Sequence, residues 1–576
     1  MNQRHAGGAF GGFAFNGTET GYDVADYLLG APVNYSQNSV QVLDSRSKYG
    51  GAYAQDSIRV KPNFTLNVGL RWEFSQPWYD TQDKIVTMIP GQQSTQYPTA
   101  PTGLLYPGDA GIPRTLAPTR YNNFAPRLGI AWSPNNSDGV LGKLFGGPGK
   151  TSIRLGSGMF YTAIQDQTLY WILGTAPFGE YWGGGAPPLF EEPFRSRGSG
   201  DSQGQKFPFV IPVPGSPEAK NFDFTPYEPF ASTLGYWHQN ALPYGIHYNL
   251  TIQRQLTSSM VLSLGYVGTV GRKLISIVEN NPGDPNLCLS LRGDGVMPGT
   301  LQCGPSLADA TFTRPDGTLV HGTRYRFPGG AFSYGFDEAN WANSSYNSLQ
   351  ASLEKRAGDL SFLLGYTFSK AMNNASFFND RMNYENHALS KNLSNFDATH
   401  NFVASYTYTI PFDRAFSSAP KALVQGWAIA GITRFSTGFP VTTWMSGDRS
   451  LRGSSGLERP DFVGPLVIAD NLRRDDHRWF NNDAFNISTP LGQFGNSNYR
   501  FFHGPGINNW DMGIHKDTKI RENLRIQFRA ELFNAFNHAQ FGLPNGRYNA
   551  STSSTFGRVT TTRDPRIVQF GIKIMF

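Results

Sequence analysis

Apolar and polar residues alternate one for one along most of this chain. In FTLNVGLRWEF, Phe64, Leu66, Val68, Leu70, Trp72 and Phe74 fall on one side, and Thr65, Asn67, Gly69, Arg71 and Glu73 on the other. Successive side chains of an extended strand point to opposite faces, so this period predicts a strand with one greasy and one polar face. FAPRLGIAW sets Phe124, Leu128, Ile130 and Trp132 against Arg127 and Gly129. LRIQFRAELF sets Leu524, Ile526, Phe528, Ala530 and Leu532 against Arg525, Gln527, Arg529 and Glu531. About thirteen such segments follow residue 48, and helical periodicity is nearly absent. Their length, about 9–11 residues, is what a tilted strand needs to cross a bilayer core.

A soluble sheet with one wet face gives the same alternation, so the connections decide. They alternate shorter and longer: short ones such as 61–63, 257–259, 357–359 and 521–523, long ones at 75–122, 162–245, 271–344, 371–396, 439–507 and 537–565. A sandwich has no reason to do this. A transmembrane barrel has tight turns at one rim and long external loops at the other. Arg525, Arg529 and Glu531 on one face would be costly against lipid and suit a wet lumen. Trp72, Trp132 and Tyr366 suit interfacial girdles.

The predicted fold class is therefore all-β: a transmembrane antiparallel barrel of about 14 to 16 strands. It comprises an N-terminal segment, 1–47, with one or two further strands, and a barrel domain, 48–576. Counting strand parity back from the end puts Phe576 at the short-turn rim, where a closing strand ends. Phe570, Ile572, Ile574 and Phe576 form its outward row.

Composition changes little. Net charge is +6, from 49 basic and 43 acidic residues without a Lys/Arg block, so no nucleic-acid partner is expected. No run reaches the ~18 apolar residues of a transmembrane helix, and the mean hydropathy of −0.37 does not argue against a barrel. MNQRHAGGAFGG lacks the apolar core of a signal peptide, which leaves either a cytosolic protein or an N-terminus other than the native one.

The two cysteines, Cys288 and Cys303, share the loop 271–344. Two buried thiols or one disulfide fit the count alone; an external, oxidising location favours the disulfide. The loop 162–245 is rich in rings, among them Trp171, Tyr181, Trp182, Tyr236 and Trp237. Such rings suit capture of an oligosaccharide or peptide by stacking; the alternative is that they pack the loop's own core.

Catalytic chemistry is not evident. GGPGKTS (146–152) has Leu144 where a phosphate loop needs its first glycine, and a strand follows instead of a helix. Asp475, Asp476 and His477 in RRDDHRW are adjacent rather than spaced for one metal. No H-E-x-x-H or G-x-S-x-G occurs. The expectation is no enzyme, no cofactor and no metal.

Several stretches together carry a family resemblance: YAQDSIRVKPNFTLNVGLRWEF (53–74), NFAPRLGIAW (123–132), SLQASLEKR (348–356), GYTFSKAMNN (365–374), FDATHNFVASYTYTIPF (396–412) and ELFNAFNHAQFGLPN (531–545). YNLTIQRQL with LSLGYVGTVGRKL (248–274) and GPGINNWDMGIHKDTKI (504–520) belong to the same set. With them the chain resembles the C-terminal barrel of a TonB-dependent outer-membrane receptor of the Oar-like type. The resemblance implies a barrel of about 22 strands, of which this chain would be a part; a smaller self-closing barrel is the alternative. It implies that the terminal row at Phe570, Ile572, Ile574 and Phe576 is the signal read by the barrel-assembly machinery. It also implies import of a ligand bound by external loops, with energy from a TonB-type inner-membrane complex acting through a plug. Neither plug nor coupling box is visible in the sequence. Outer-membrane location and lipid contact follow. The rival readings are a passive pore and a structural or adhesive surface protein.

Overall fold

The computed structural model describes the chain except residues 1, 7–10, 40–41, 165–174, 180, 184, 205–209, 214, 231–232, 240, 297–309, 378–379, 454–457, 474–475, 522 and 549–553. Thirteen long strands run in one antiparallel meander: β1 Tyr49–Lys61, β2 Phe64–Ser75, β3 Asn123–Trp132, β4 Thr151–Tyr161, β5 Tyr244–Thr257, β6 Met260–Glu279, β7 Gly335–Lys355, β8 Leu360–Asn373, β9 His400–Thr409, β10 Trp427–Ser436, β11 Ile507–Arg521, β12 Leu524–Phe533 and β13 Ile567–Met575. Each pairs with its sequence neighbours, and three short strands bring the sheet to 16.

Register turns the alternation into two continuous surfaces. Leu66, Ile130, Leu155, Leu250, Tyr266, Leu349 and Phe368 stand abreast on β2 to β8. The neighbouring row on the other face reads Thr65, Ala131, Arg154, Thr251, Gly265, Gln350, Thr367 and Asn401. The apolar row is not covered by protein: Leu349 is 52% exposed, Tyr266 43% and, further round the same face, Ile572 72%. In water such a surface would be a large unfavourable patch; in hydrocarbon it is the required one.

All long connections leave from one rim. They span 76–122, 162–243, 280–334, 374–399, 437–506 and 534–566. The opposite rim has tight turns and two medium ones, 133–150 and 410–426, holding the short helices Gly139–Phe145, Phe412–Ala415 and Lys421–Val424. In GGPGKTS, Gly146, Gly147 and Gly149 all have positive φ, 75°, 93° and 73°, and turn the chain from helix into β4. A phosphate loop would enter a helix there.

The dry core of this protein lies above the sheet, in the long connections. One cluster gathers Ile85, Tyr97, Leu104, Tyr106, Phe178, Phe224, Phe230, Tyr236 and Phe332 from several loops. A second is built from Val441, Phe480, Phe485, Phe502 and Phe556. One buried charge there is fully engaged: the Asp109 carboxylate accepts from Ser94 Oγ (2.8 Å) and from the amides of Thr95 (2.7 Å), Gln96 (3.0 Å) and Tyr106 (2.9 Å). Unpaired, that charge would be strongly destabilising.

Two observations go beyond the pattern. β6 and β7 are 20 and 21 residues long, about twice what crossing requires, so they rise out of the sheet into the loops. Their register slips between Gly271 and Leu274 and again before Ser276, and beyond the slips both faces are packed, which erases the alternation. The N-terminal strands do not join the barrel sheet. Asn2–Ala6 and Val42–Arg46 pair with each other and then with Tyr79–Asp80; Gly12–Ala14, Asn34–Asn38 and Tyr181–Gly183 form another small sheet. At three to five residues they are too short to span.

Candidate functional site

The ring-rich loop is largely a packing element. Trp182 is 9% exposed, with ring centroids 5.2 Å from Phe194 and 5.9 Å from Tyr35. Tyr236 is buried, and its amide donates to Thr87 Oγ1 at 3.2 Å. The Trp237 ring stands edge-on to Trp341 at 5.1 Å, beside Val278, Ala339 and Met382. Tyr181 pairs through its backbone with Asn38; its side chain and Trp171 lie outside the described residues. Cys288 is fully buried in the helix Pro285–Gly293, against Leu291, Phe312 and Leu451, and Cys303 lies outside the described residues. Phe570, Ile572, Ile574 and Phe576 are 70%, 72%, 57% and 101% exposed in one row on β13 and just past it. Of the RRDDHRW cluster, Asp475 lies outside the described residues. Among the described residues no cluster of three or more His, Cys, Asp or Glu is placed to hold a metal.

The cavity that does gather chemistry lies elsewhere, between the loops 374–399 and 437–506. It measures about 240 Å³. Asn374, Asp380, Arg381, Ser390 and Asn392 come from the first loop, and Thr442, Trp444, Tyr499 and Arg500 from the second.

Local pairing fixes these walls. Arg381–Met382 lies parallel to Ile277–Val278 on the raised end of β6. Asn392–Leu393 pairs with Met372–Asn373 at the end of β8. Trp444–Met445 runs parallel to Arg547–Tyr548 of the loop 534–566. The two main loops are stitched across: Asn392 Oδ1 accepts from the Tyr499 amide (2.8 Å), and Arg500 Nε donates to the Leu393 carbonyl (2.7 Å). The Asp397 carboxylate, 1% exposed, takes Nε2 of His503 at 2.8 Å.

Guanidinium groups dominate the surroundings. Arg547 lies 4.6 Å from the Trp444 ring centroid, Arg459 4.0 Å from that of Tyr499, and Arg381 4.5 Å from that of Phe336. These are cation–π distances. Burial lowers the Arg500 pKa and pushes the Tyr499 hydroxyl up to about 12, so at neutral pH the tyrosine is a neutral wall. The Asp380 carboxylate is engaged by the loop itself, accepting from the amides of Ser376 (2.7 Å) and Phe377 (3.3 Å). The cavity thus combines cationic groups, amide and hydroxyl edges, and aromatic faces.

None of these positions was singled out by alternation, because loop residues carry no period. The signal available was the tight interleaving of Arg and aromatic residues in NYRFF (498–502).

A sheet greasy outside and polar inside, with every long connection on one rim, defines an integral outer-membrane β-barrel. The chain belongs to the family described as the outer membrane beta barrel domain, which it matches over residues 1–569. Among the described residues no helix is long and apolar enough to cross a membrane, so the crossing is by strands. No protein of curated function matches the sequence.

Among solved structures, the chain is similar to the siderophore receptor PirA from Acinetobacter baumannii, at 11% identity and TM-score 0.38, covering 94% of this chain and 54% of that one. The outer membrane transporter YddB from Escherichia coli gives 9% and 0.37, covering 94% and 52%. The ferripyoverdine receptor of the outer membrane of Pseudomonas aeruginosa gives 9% and 0.36, covering 92% and 39%. This chain spans about half or less of the length of each.

Proposed function

We propose that this chain is the barrel portion of an outer-membrane receptor of the TonB-dependent, Oar-like type. In this reading it binds a ligand in its external cap and passes it inward using energy from an inner-membrane complex. The observation that carries the reading is the cap. Six long connections on one rim fold into dry cores and enclose a polar cavity above a sheet whose inner face is hydrophilic. A passive pore gains nothing from so elaborate a cover. Loops of this length with their own packing are the usual carriers of recognition.

The sheet edges support membership of a larger barrel. Among the described residues β1 and β13 each have one neighbour in the meander, and they do not pair with each other. An odd number of antiparallel strands leaves the first and last running the same way, so antiparallel closure needs further strands between them. Lipid offers no partner for a bare edge. A plug-bearing segment and the coupling complex would then act as partners, and the terminal row of β13 would engage the assembly machinery.

The test is energy dependence. In cells making the full-length protein, uptake of its ligand should stop when a protonophore collapses the inner-membrane gradient, while surface binding persists. Uptake that continues without the gradient, or swelling of liposomes holding the chain alone, would assign it as a passive pore instead.

A further inference from the structure

The cavity between the loops 374–399 and 437–506 has a chemistry of its own, and its content narrows what enters it. At about 240 Å³ it falls below the roughly 300–1,000 Å³ of pockets for drug-sized ligands, so it has room for about one ring. Two of its walls are guanidinium-bearing, Arg381 and Arg500, and only one, Asp380, is acidic. The Asp380 carboxylate accepts from two loop amides and offsets part of the Arg500 charge beside it. Arg547 stacks on one face of Trp444 and adds a further positive charge at the same edge. An anionic group is therefore favoured and a cation disfavoured.

The remaining walls say what the anion is attached to. Trp444 presents a flat aromatic surface and Thr442 a hydroxyl edge, while Asn392, held by the Tyr499 amide and the Ser390 carbonyl (2.7 Å), fixes the wall behind them. A flat apolar face ringed by donors and acceptors matches a pyranose, whose C–H face stacks on indole and whose hydroxyls need several hydrogen bonds. A bare phosphate would use the arginines and leave the indole idle. An apolar peptide side chain would leave the guanidinium groups and the Thr442 hydroxyl without a partner in a partly buried site, which is costly.

We infer that this cavity is a subsite for one uronic-acid unit of an acidic oligosaccharide. Arg381 and Arg500 meet the carboxylate, Trp444 stacks on the sugar ring, and Thr442 meets a hydroxyl. The inference rests on the receptor reading above and names the substrate class of its cap.

The experiment is calorimetric titration of the detergent-solubilised full-length protein with trigalacturonate, with maltotriose as neutral counterpart and inorganic phosphate as competitor. Trigalacturonate should bind, and maltotriose should bind about tenfold or more weakly, a difference of about 1.4 kcal/mol. Arg381→Gln and Trp444→Ala should each weaken the acid trimer about tenfold. Thr442→Phe, which fills the cavity from a small half-buried loop position, should abolish binding while the sheet's circular dichroism is unchanged. Equal binding of both trimers, full displacement by phosphate at matched charge, unaltered binding by Thr442→Phe, or no binding of trigalacturonate overturns the assignment. The receptor reading fails separately, through uptake that ignores the proton gradient.

Discussion

Single residues in the cap set its response to acidity. Burial pushes the Asp448 carboxyl up to about 6 and that of Glu458 up to about 7, against hydrogen bonds that favour the charged forms, including those from the Arg452 and Gly453 amides and from Ser450. Unfolded carboxyls titrate near 4. Between about pH 4 and pH 7 the folded loop therefore binds more protons than the unfolded one, and stability falls as pH rises through that window. The loop 437–506 should show stronger amide-exchange protection at about pH 5 than at about pH 8, after correction for intrinsic rates. Glu458→Gln should flatten much of the difference; protection that grows with pH would contradict the assignment. Also at this scale is the proposed disulfide between Cys288 and Cys303. Closing a loop of this size contributes on the order of 3 kcal/mol in the chain-entropy account. Cys303→Ser should speed proteolysis within 280–334 and leave the barrel strands resistant, whereas an unchanged digest would remove the bridge from consideration.

At the scale of elements, the strand faces divide the consequences of mutation. On β13, Ile572 stands opposite Phe528 in the outward row, and Gln569 stands opposite Glu531 on the inner face. The Phe528 and Phe570 rings stack at 6.3 Å along that outer row. Ile572→Arg puts a charge into hydrocarbon at a cost of ~2–4 kcal/mol if it lies near the midplane. Gln569→Arg puts the same charge into the lumen beside a carboxylate and should be nearly neutral. Urea titration of the full-length protein folded into vesicles separates the two, and equal losses would refute the assignment of faces. Lys516 shows how the outer face tolerates a cation. It sits opposite Phe528 and Trp427, and its ammonium reaches the Ala422 carbonyl at 2.8 Å in the turn 410–426. A long side chain can carry its charge to the rim in this way.

The molecule as a whole is inverted relative to a soluble protein: its strands are greasy outward, and its core is outside the membrane. Such a chain should remain with the outer-membrane fraction after alkaline carbonate washing and come free only with detergent. Recovery in a detergent-free supernatant would rule out the barrel. The scale also explains what was legible. The faces of β2, β3, β8 and β12 were readable because a strand with lipid on one side and water on the other must alternate strictly. Loop spacing was readable because tight turns and long connections differ in length by tens of residues. The upper halves of β6 and β7 were hidden, since they are packed on both sides and their register slips.

The sequence by itself determined the solvent of each face. Period-two alternation and turn spacing are local properties, and an outward row of Leu, Ile and Phe admits only hydrocarbon. The tertiary structure alone decided the cap. Trp182 and Tyr236 are spent on packing, while Asn392, Trp444 and Arg500, distant in sequence, meet around one cavity. Which rings pack and which stay open depends on contacts between loops separated by up to hundreds of residues, and no local pattern encodes those contacts.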